Sequence, residues 1–135
     1  MDELTRAEVV TILLAVAGAA LSALTWWATR EAAAGRLAHG NPMGIRSART
    51  LSSDEAWRRG HLVALPWTVS GRYVAGLLAV AALVAIGLER TMPAGLVLAA
   101  AGFASAVVIP LAARAAINRD PHVHDESYDR PANDS

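Results

Sequence analysis

VVTILLAVAGAALSALTWWA, residues 9–28, runs for 20 positions without an ionisable side chain. At about 1.5 Å per residue such a helix is roughly 30 Å long, the hydrocarbon thickness of a bilayer, so the stretch reads as a membrane span. A cleaved signal sequence would have an apolar stretch of about 7 to 15 residues behind a basic start, whereas here Asp2, Glu3 and Glu8 outnumber Arg6. Further along, the same character returns in Tyr73–Leu88 and Thr91–Ala113, which carry no charge over 16 and 23 residues. The 16-residue stretch is short for a span, so it is expected to borrow Val69, Ser70 and Gly71 and to let Arg72 snorkel toward the headgroups, spanning 69–88. A frame beginning near His61 would place Arg72 close to mid-bilayer at about 2.5 to 3.5 kcal/mol. The third span is read as 91–113, with Pro93 in its first turn and Pro110 expected to kink or end it. Glu89 and Arg90 fill the turn between spans two and three. The fold class is therefore all-α, an integral membrane three-helix bundle.

The charges fall between these spans. The 135 residues are 54% hydrophobic, with 12 acidic residues balanced by 12 arginines, no lysine and no cysteine. Disulfides, thiolate metal sites and a thiol nucleophile are thereby excluded. Arg6 and Arg90 belong to one side of the membrane, and the other ten arginines to the loop 29–68, Arg72 and the C-terminal tail. The positive-inside rule then places the N-terminus outside, and the loop and C-terminus in the cytoplasm. Trp26, Trp27, Trp67 and Tyr73 fit an interfacial belt on that same side. Small residues at four-residue spacing suggest helix contacts: Ala15, Ala19 and Ala23; Ala81 and Ala85; Ala94, Leu98, Gly102 and Ala106. The absence of buried ionisable groups within the spans speaks against a proton relay.

The loop has its own organisation. Thr29–His39 has helix-forming composition and is expected to extend the first helix until Gly40, Asn41 and Pro42 stop it. Ser52 stands three residues before Glu55, the spacing of a capping box, so a helix is expected from Ser53 to about Leu65, ended by Pro66. On it Trp57, Gly60, His61 and Ala64 share one face. With Arg58 and Arg59 it reads as an amphipathic cytoplasmic helix lying at the inner membrane surface, its arginines on lipid headgroups.

Asn41-Pro42-Met43-Gly44-Ile45-Arg46, then Thr50-Leu51-Ser52-Ser53-Asp54-Glu55-Ala56-Trp57 and His61, resemble the conserved loop of the SdpI family of sporulation-delaying-toxin immunity membrane proteins. That family has the form N-x-x-G-I-R-x-x-x-T-L-S-x-x-E-x-W-x-x-x-H between the first two of three membrane helices. The resemblance covers the family's C-terminal three-helix unit, and departs from it at Ala48-Arg49, where many members have Pro-Trp. It implies a membrane domain over 1–117, with motif residues Asn41, Gly44, Ile45, Arg46, Thr50, Ser52, Glu55, Trp57 and His61 forming a recognition surface folded onto the cytoplasmic mouth of the bundle. The partners implied are membrane lipid, a peptide toxin and a cytoplasmic transcriptional repressor. From the residues themselves, Gly44 is expected to supply a backbone angle closed to other residues and Arg46 five donors for carbonyls or a lipid phosphate. Trp57 and His61, one turn apart, could clamp a ligand or pack against the bundle, and packing is favoured.

Other constellations are weaker. In the tail 118–135, His122 and His124 beside Asp120 and Asp125 resemble metal ligands, but the polar, proline-containing composition points to disorder. Ser52 and His61 are about 13 Å apart along one helix, too far for a nucleophile and its base, and no phosphate loop or HExxH occurs. A noncatalytic protein without cofactor, metal or nucleic-acid partner is expected, acting in toxin immunity or signalling. The other reading is a small transport or permeability subunit working as a homo-oligomer.

Overall fold

The computed structural model describes residues 5–88 and 92–123. It is all-helical among those residues: α1 spans Arg6–Ala33, α2 Asp54–Gly87 and α3 Met92–Arg119, followed by a 3₁₀ turn at Pro121–Val123. Each of the three helices is long and apolar enough to cross a membrane. The turn expected at Glu89 and Arg90 lies outside the described residues.

The helix ends depart from expectation for identifiable reasons. α1 begins at a capping box missed in the sequence, in which the Thr5 hydroxyl accepts from the Glu8 N–H and the Glu8 carboxylate accepts from the Thr5 N–H. It stops at Ala33 rather than continuing to His39. Gly35 takes a left-handed backbone (φ +75°) that only glycine adopts cheaply, and its N–H closes on Ala32 O. Arg36 then turns back onto Glu31 through two hydrogen bonds of 2.6 and 2.8 Å.

The largest correction concerns α2. The helix expected at 53–65 and the span expected at 69–88 are one rod of 34 residues, about 51 Å long, and Pro66 lies inside it rather than ending it. Proline removes one N–H donor, and membrane helices tolerate this where nearby hydroxyls bond to the loosened backbone. The carbonyl that loses its helical donor is that of Leu62; the nearby hydroxyls bond in the following turn, Thr68 to Leu65 O and Ser70 to Pro66 O. Pro110 is likewise internal to α3, which runs on to Arg119. No separate surface helix exists among the described residues, because 54–65 are the first turns of α2. Their shared face of Trp57, Gly60, His61 and Ala64 is buried inside the protein. The cap is also one residue later than expected: the Ser53 hydroxyl accepts from Ala56 N–H, while Ser52 donates to Arg49 O.

α2 runs antiparallel to both neighbours. Gly71 meets Ile109, Gly102 meets Leu78 and Gly95 meets Ala82 and Ile86, while Gly18 of α1 sits against the backbone of Phe103. The seam is built from small residues: Thr11, Ala15, Gly18 and Ser22 on α1, Ala75, Ala79 and Ala82 on α2, and Gly95, Ala99, Gly102 and Ala106 on α3. Spacings of four and three alternate along it. The strict four-residue stripes drift by about 40° per step around a helix of 3.6 residues per turn, so Ala15, Ala85, Gly102 and Ala106 are buried whereas Ala23 and Ala94 face outward. Leu13, Leu77, Val80, Val97 and Leu111 are among the large side chains left exposed. Small residues inside and large apolar ones outside is the pattern of helices packed in lipid.

Candidate functional site

Residues 34–53 fold back onto the first turns of α2 and the last turns of α3, capping one end of the bundle. Trp57 is the keystone. It is 1% exposed, its ring lies 4.3 Å from that of His61 and 5.7 Å from that of His39, and its indole N–H donates to Leu37 O at 3.3 Å. His39 Nδ1 in turn lies 3.0 Å from an Asp54 carboxylate oxygen.

Gly44 lies flat against this pair, but not for the backbone angle expected of it. The positive-φ glycines among the described residues are Gly35 and Gly40. A Cβ on Gly44 would stand 2.5 Å from Trp57 Cη2 and 2.9 Å from His61 Nε2, so only glycine lets the loop come this close. The approach enables a bond across 16 residues of sequence: Ile45 N–H donates to His61 Nε2 at 2.9 Å. The tautomer follows, since a ring nitrogen that accepts carries no proton. His61 Nδ1 then holds the hydrogen and donates to Trp57 O at 2.7 Å. His61 is fully buried and lies before the charge-free part of α2. Burial pushes its pKa below the ordinary 6.5, against the smaller opposing effect of the bond to Trp57 O.

Thr50 organises the other half. Its hydroxyl accepts from Ser47 N–H at 2.9 Å and donates to Ile45 O at 3.0 Å, while Ser47 Oγ accepts from Thr50 N–H. Both side chains are buried. Below them Gly60 provides the clearance, because a Cβ there would stand 2.5 Å from Thr50 Cγ2. Asn41 closes the preceding turn by accepting from Met43 N–H. Glu55 pairs with Arg59 at 2.8 Å on the surface of α2.

The nine motif residues therefore separate by role. Gly44, Ile45, Thr50, Trp57 and His61 come together in the interior of the cap; Asn41 and Ser52 brace its turns; Glu55 sits outside. Arg46 is exposed and makes no hydrogen bond or ion pair with the described residues. Trp57 and His61 are buried, and the exposed residues of the cap include Pro42, Met43, Arg46 and Leu51.

The beginning of the tail belongs to the cap as well, contrary to the disorder expected from residue 118. Asn118 and Arg119 complete α3, and Val123 is buried among Ala64, Ala113 and Ile117. Arg49 donates to Asp120 O at 2.7 Å and Arg59 to His122 O at 3.2 Å. Arg49, which replaces the motif aromatic, thus ties loop to tail. His124, Asp125 and the rest of the tail lie outside the described residues.

No curated protein and no solved structure matches the chain. The family model described as the SdpI/YfhL protein family matches residues 36–113, which takes in the capping loop with all nine motif residues, the whole of α2 and most of α3. With more than half of its length matched, and with three helices able to cross a bilayer, the chain belongs to the SdpI/YfhL protein family and is a multi-pass membrane protein of that type.

Proposed function

We propose that this protein is a noncatalytic immunity and signalling factor of the bacterial plasma membrane, protecting the cell against a peptide toxin and holding a cytoplasmic transcriptional repressor at the cap. In this reading the N-terminus is outside and the loop 34–53 and C-terminus are cytoplasmic, which the ten-to-two distribution of arginines supports under the positive-inside rule. The observation that carries the proposal is the construction of the cap. Its buried polar groups bond to one another, so the family motif builds a platform on which Arg46, Met43 and Leu51 are exposed and Arg46 has no hydrogen-bond partner among the described residues. A free guanidinium on a fixed backbone suits recognition of an acidic or carbonyl-rich partner.

The test is survival of a toxin-sensitive bacterium expressing the protein, compared with Arg46→Ala. Protection that is lost in Arg46→Ala at equal membrane abundance supports the proposal, and equal protection by both refutes the role of the platform. Reporters fused after residues 50 and 135 should read as cytoplasmic, and an external signal at either would reverse the orientation.

A further inference from the structure

At the inner edge of the cap two cations meet on one ring. The Arg72 guanidinium carbon lies 3.9 Å from the centre of the Trp26 ring and 4.7 Å from that of Tyr73, while Arg30 lies 5.7 Å from the same Trp26 ring. Aromatic faces attract cations but carry no net charge, so the pair keeps its full positive charge. No described carboxylate forms an ion pair with either arginine, and Glu31, whose pKa is lowered chiefly by its hydrogen bond to Arg36, feels the charge of Arg30 only as the smallest contribution. The nearest in sequence, Glu31, is held by Arg36 through both oxygens. Among the described residues Arg72 makes one side-chain hydrogen bond, to Tyr73 Oη at 2.9 Å, and Arg30 makes none, which leaves most of their N–H donors without an acceptor there. Arg72 Nε is sealed from solvent without a partner, so the side chain is held against the bundle instead of reaching freely into water.

The depth of this cluster is set by its neighbours. Trp26 on α1 lies against Arg72 of α2, Trp67 stands about 9 Å nearer the cap than Tyr73 along α2, and Trp27, Trp67 and Tyr73 are exposed on the outside of the bundle. Such a belt marks the headgroup region. An uncompensated pair of guanidinium groups at that depth faces phosphate, which guanidinium binds through paired N–H donors.

We propose that Arg30 and Arg72, mounted on Trp26 and Tyr73, form a binding site for the phosphate of an anionic phospholipid. A net negative headgroup complements the two cations, whereas a zwitterionic one brings its own cation into the site. The proposal depends on membrane insertion and not on toxin immunity.

The full-length protein in phosphatidylcholine bilayers, probed with spin-labelled phosphatidylglycerol or phosphatidylcholine by electron spin resonance, provides the test. Wild type should associate with phosphatidylglycerol at least fivefold more strongly, the factor that about 1 kcal/mol per basic residue near the surface supplies. Arg72→Gln and Arg30→Gln should each lower the preference by about fivefold, and Arg114→Gln, an exposed arginine farther along α3, should leave it unchanged. Equal association of both lipids with wild type would overturn the proposal without reference to any variant. So would an equal loss in Arg114→Gln, which would mean diffuse surface charge, or abolition of the preference by excess inorganic phosphate, which would mean a free-anion site.

Discussion

Replacing Gly44 by alanine tests the architecture of the cap at its tightest point. The added carbon would stand 2.5 and 2.6 Å from Trp57 Cη2 and Cζ2 and 2.9 Å from His61 Nε2. The indole cannot withdraw, because it is enclosed between two imidazoles and its N–H is bonded to Leu37 O. The backbone must therefore lift, which stretches the bond from Ile45 N–H to His61 Nε2. Overpacking of this kind costs about 1 to 3 kcal/mol, and leaving a buried acceptor unpaired costs about as much again. Hydrogen exchange at the Ile45 amide in detergent or nanodiscs reads the local opening free energy, and protection should fall by roughly 5- to 150-fold for the overpacking alone. Gly76→Ala is the matched control: a Cβ there meets nothing within 4 Å, and its removal of glycine flexibility from α2 should stabilise by about 0.4 to 1 kcal/mol. Unchanged Ile45 protection in Gly44→Ala would refute the close approach of loop and indole.

The cap should also loosen in acid. Burial depresses the folded-state pKa of His61 below 6.5, so the unfolded form takes up the proton first; stability is complete above about pH 6.5 and declines as pH falls through that value toward the folded pKa. Ile45 protection measured from pH 7.5 to 5 should show the decline, and a flat profile would contradict the accepting tautomer. Gly60→Ala should destabilise the cap by about 1 to 3 kcal/mol, and Thr50→Ser, which deletes the Cγ2 methyl in the way, should recover part of that loss; additive effects in the double variant would exclude the contact. Arg49→Ala should free the tail from Asp120, read as faster proteolysis beyond Arg119, with α1 to α3 intact. Arg46→Ala should leave the unfolding transition within about 0.5 kcal/mol of wild type, since the side chain is exposed and makes no hydrogen bond or ion pair with the described residues.

The three rods were legible because an uncharged run of bilayer length has few other meanings, and the seam through Ala15, Gly102 and Ala106 was partly legible from residue size. The helix boundaries were not. Pro66 and Pro110 are terminators by the rules of water-exposed helices, yet α2 and α3 run on through them, packed against neighbouring helices. Ser52 and Ser53 both offer a cap, and sequence spacing favoured the one that also had Glu55 three residues on; the chain used the other because Ser52 closes the turn onto Arg49. The motif located the cap, but the reasons for its residues are three-dimensional. Gly44 is small for Trp57 and Gly60 for Thr50. The His61 acceptor has no local signature at all, and one valine in a polar tail gives no periodicity from which the docking of Val123 could be read.

The uninterrupted course of α2 has a mechanical consequence. Tyr73 and Trp57 stand on the same continuous helix, one near the aromatic belt and the other inside the cap, with Pro66 between them. A displacement of the membrane part of α2 is therefore carried along one backbone toward the indole on which the loop rests. In the proposed signalling role, a stimulus acting within the bilayer would reach the cap by leverage along this helix, with no need for a messenger to cross.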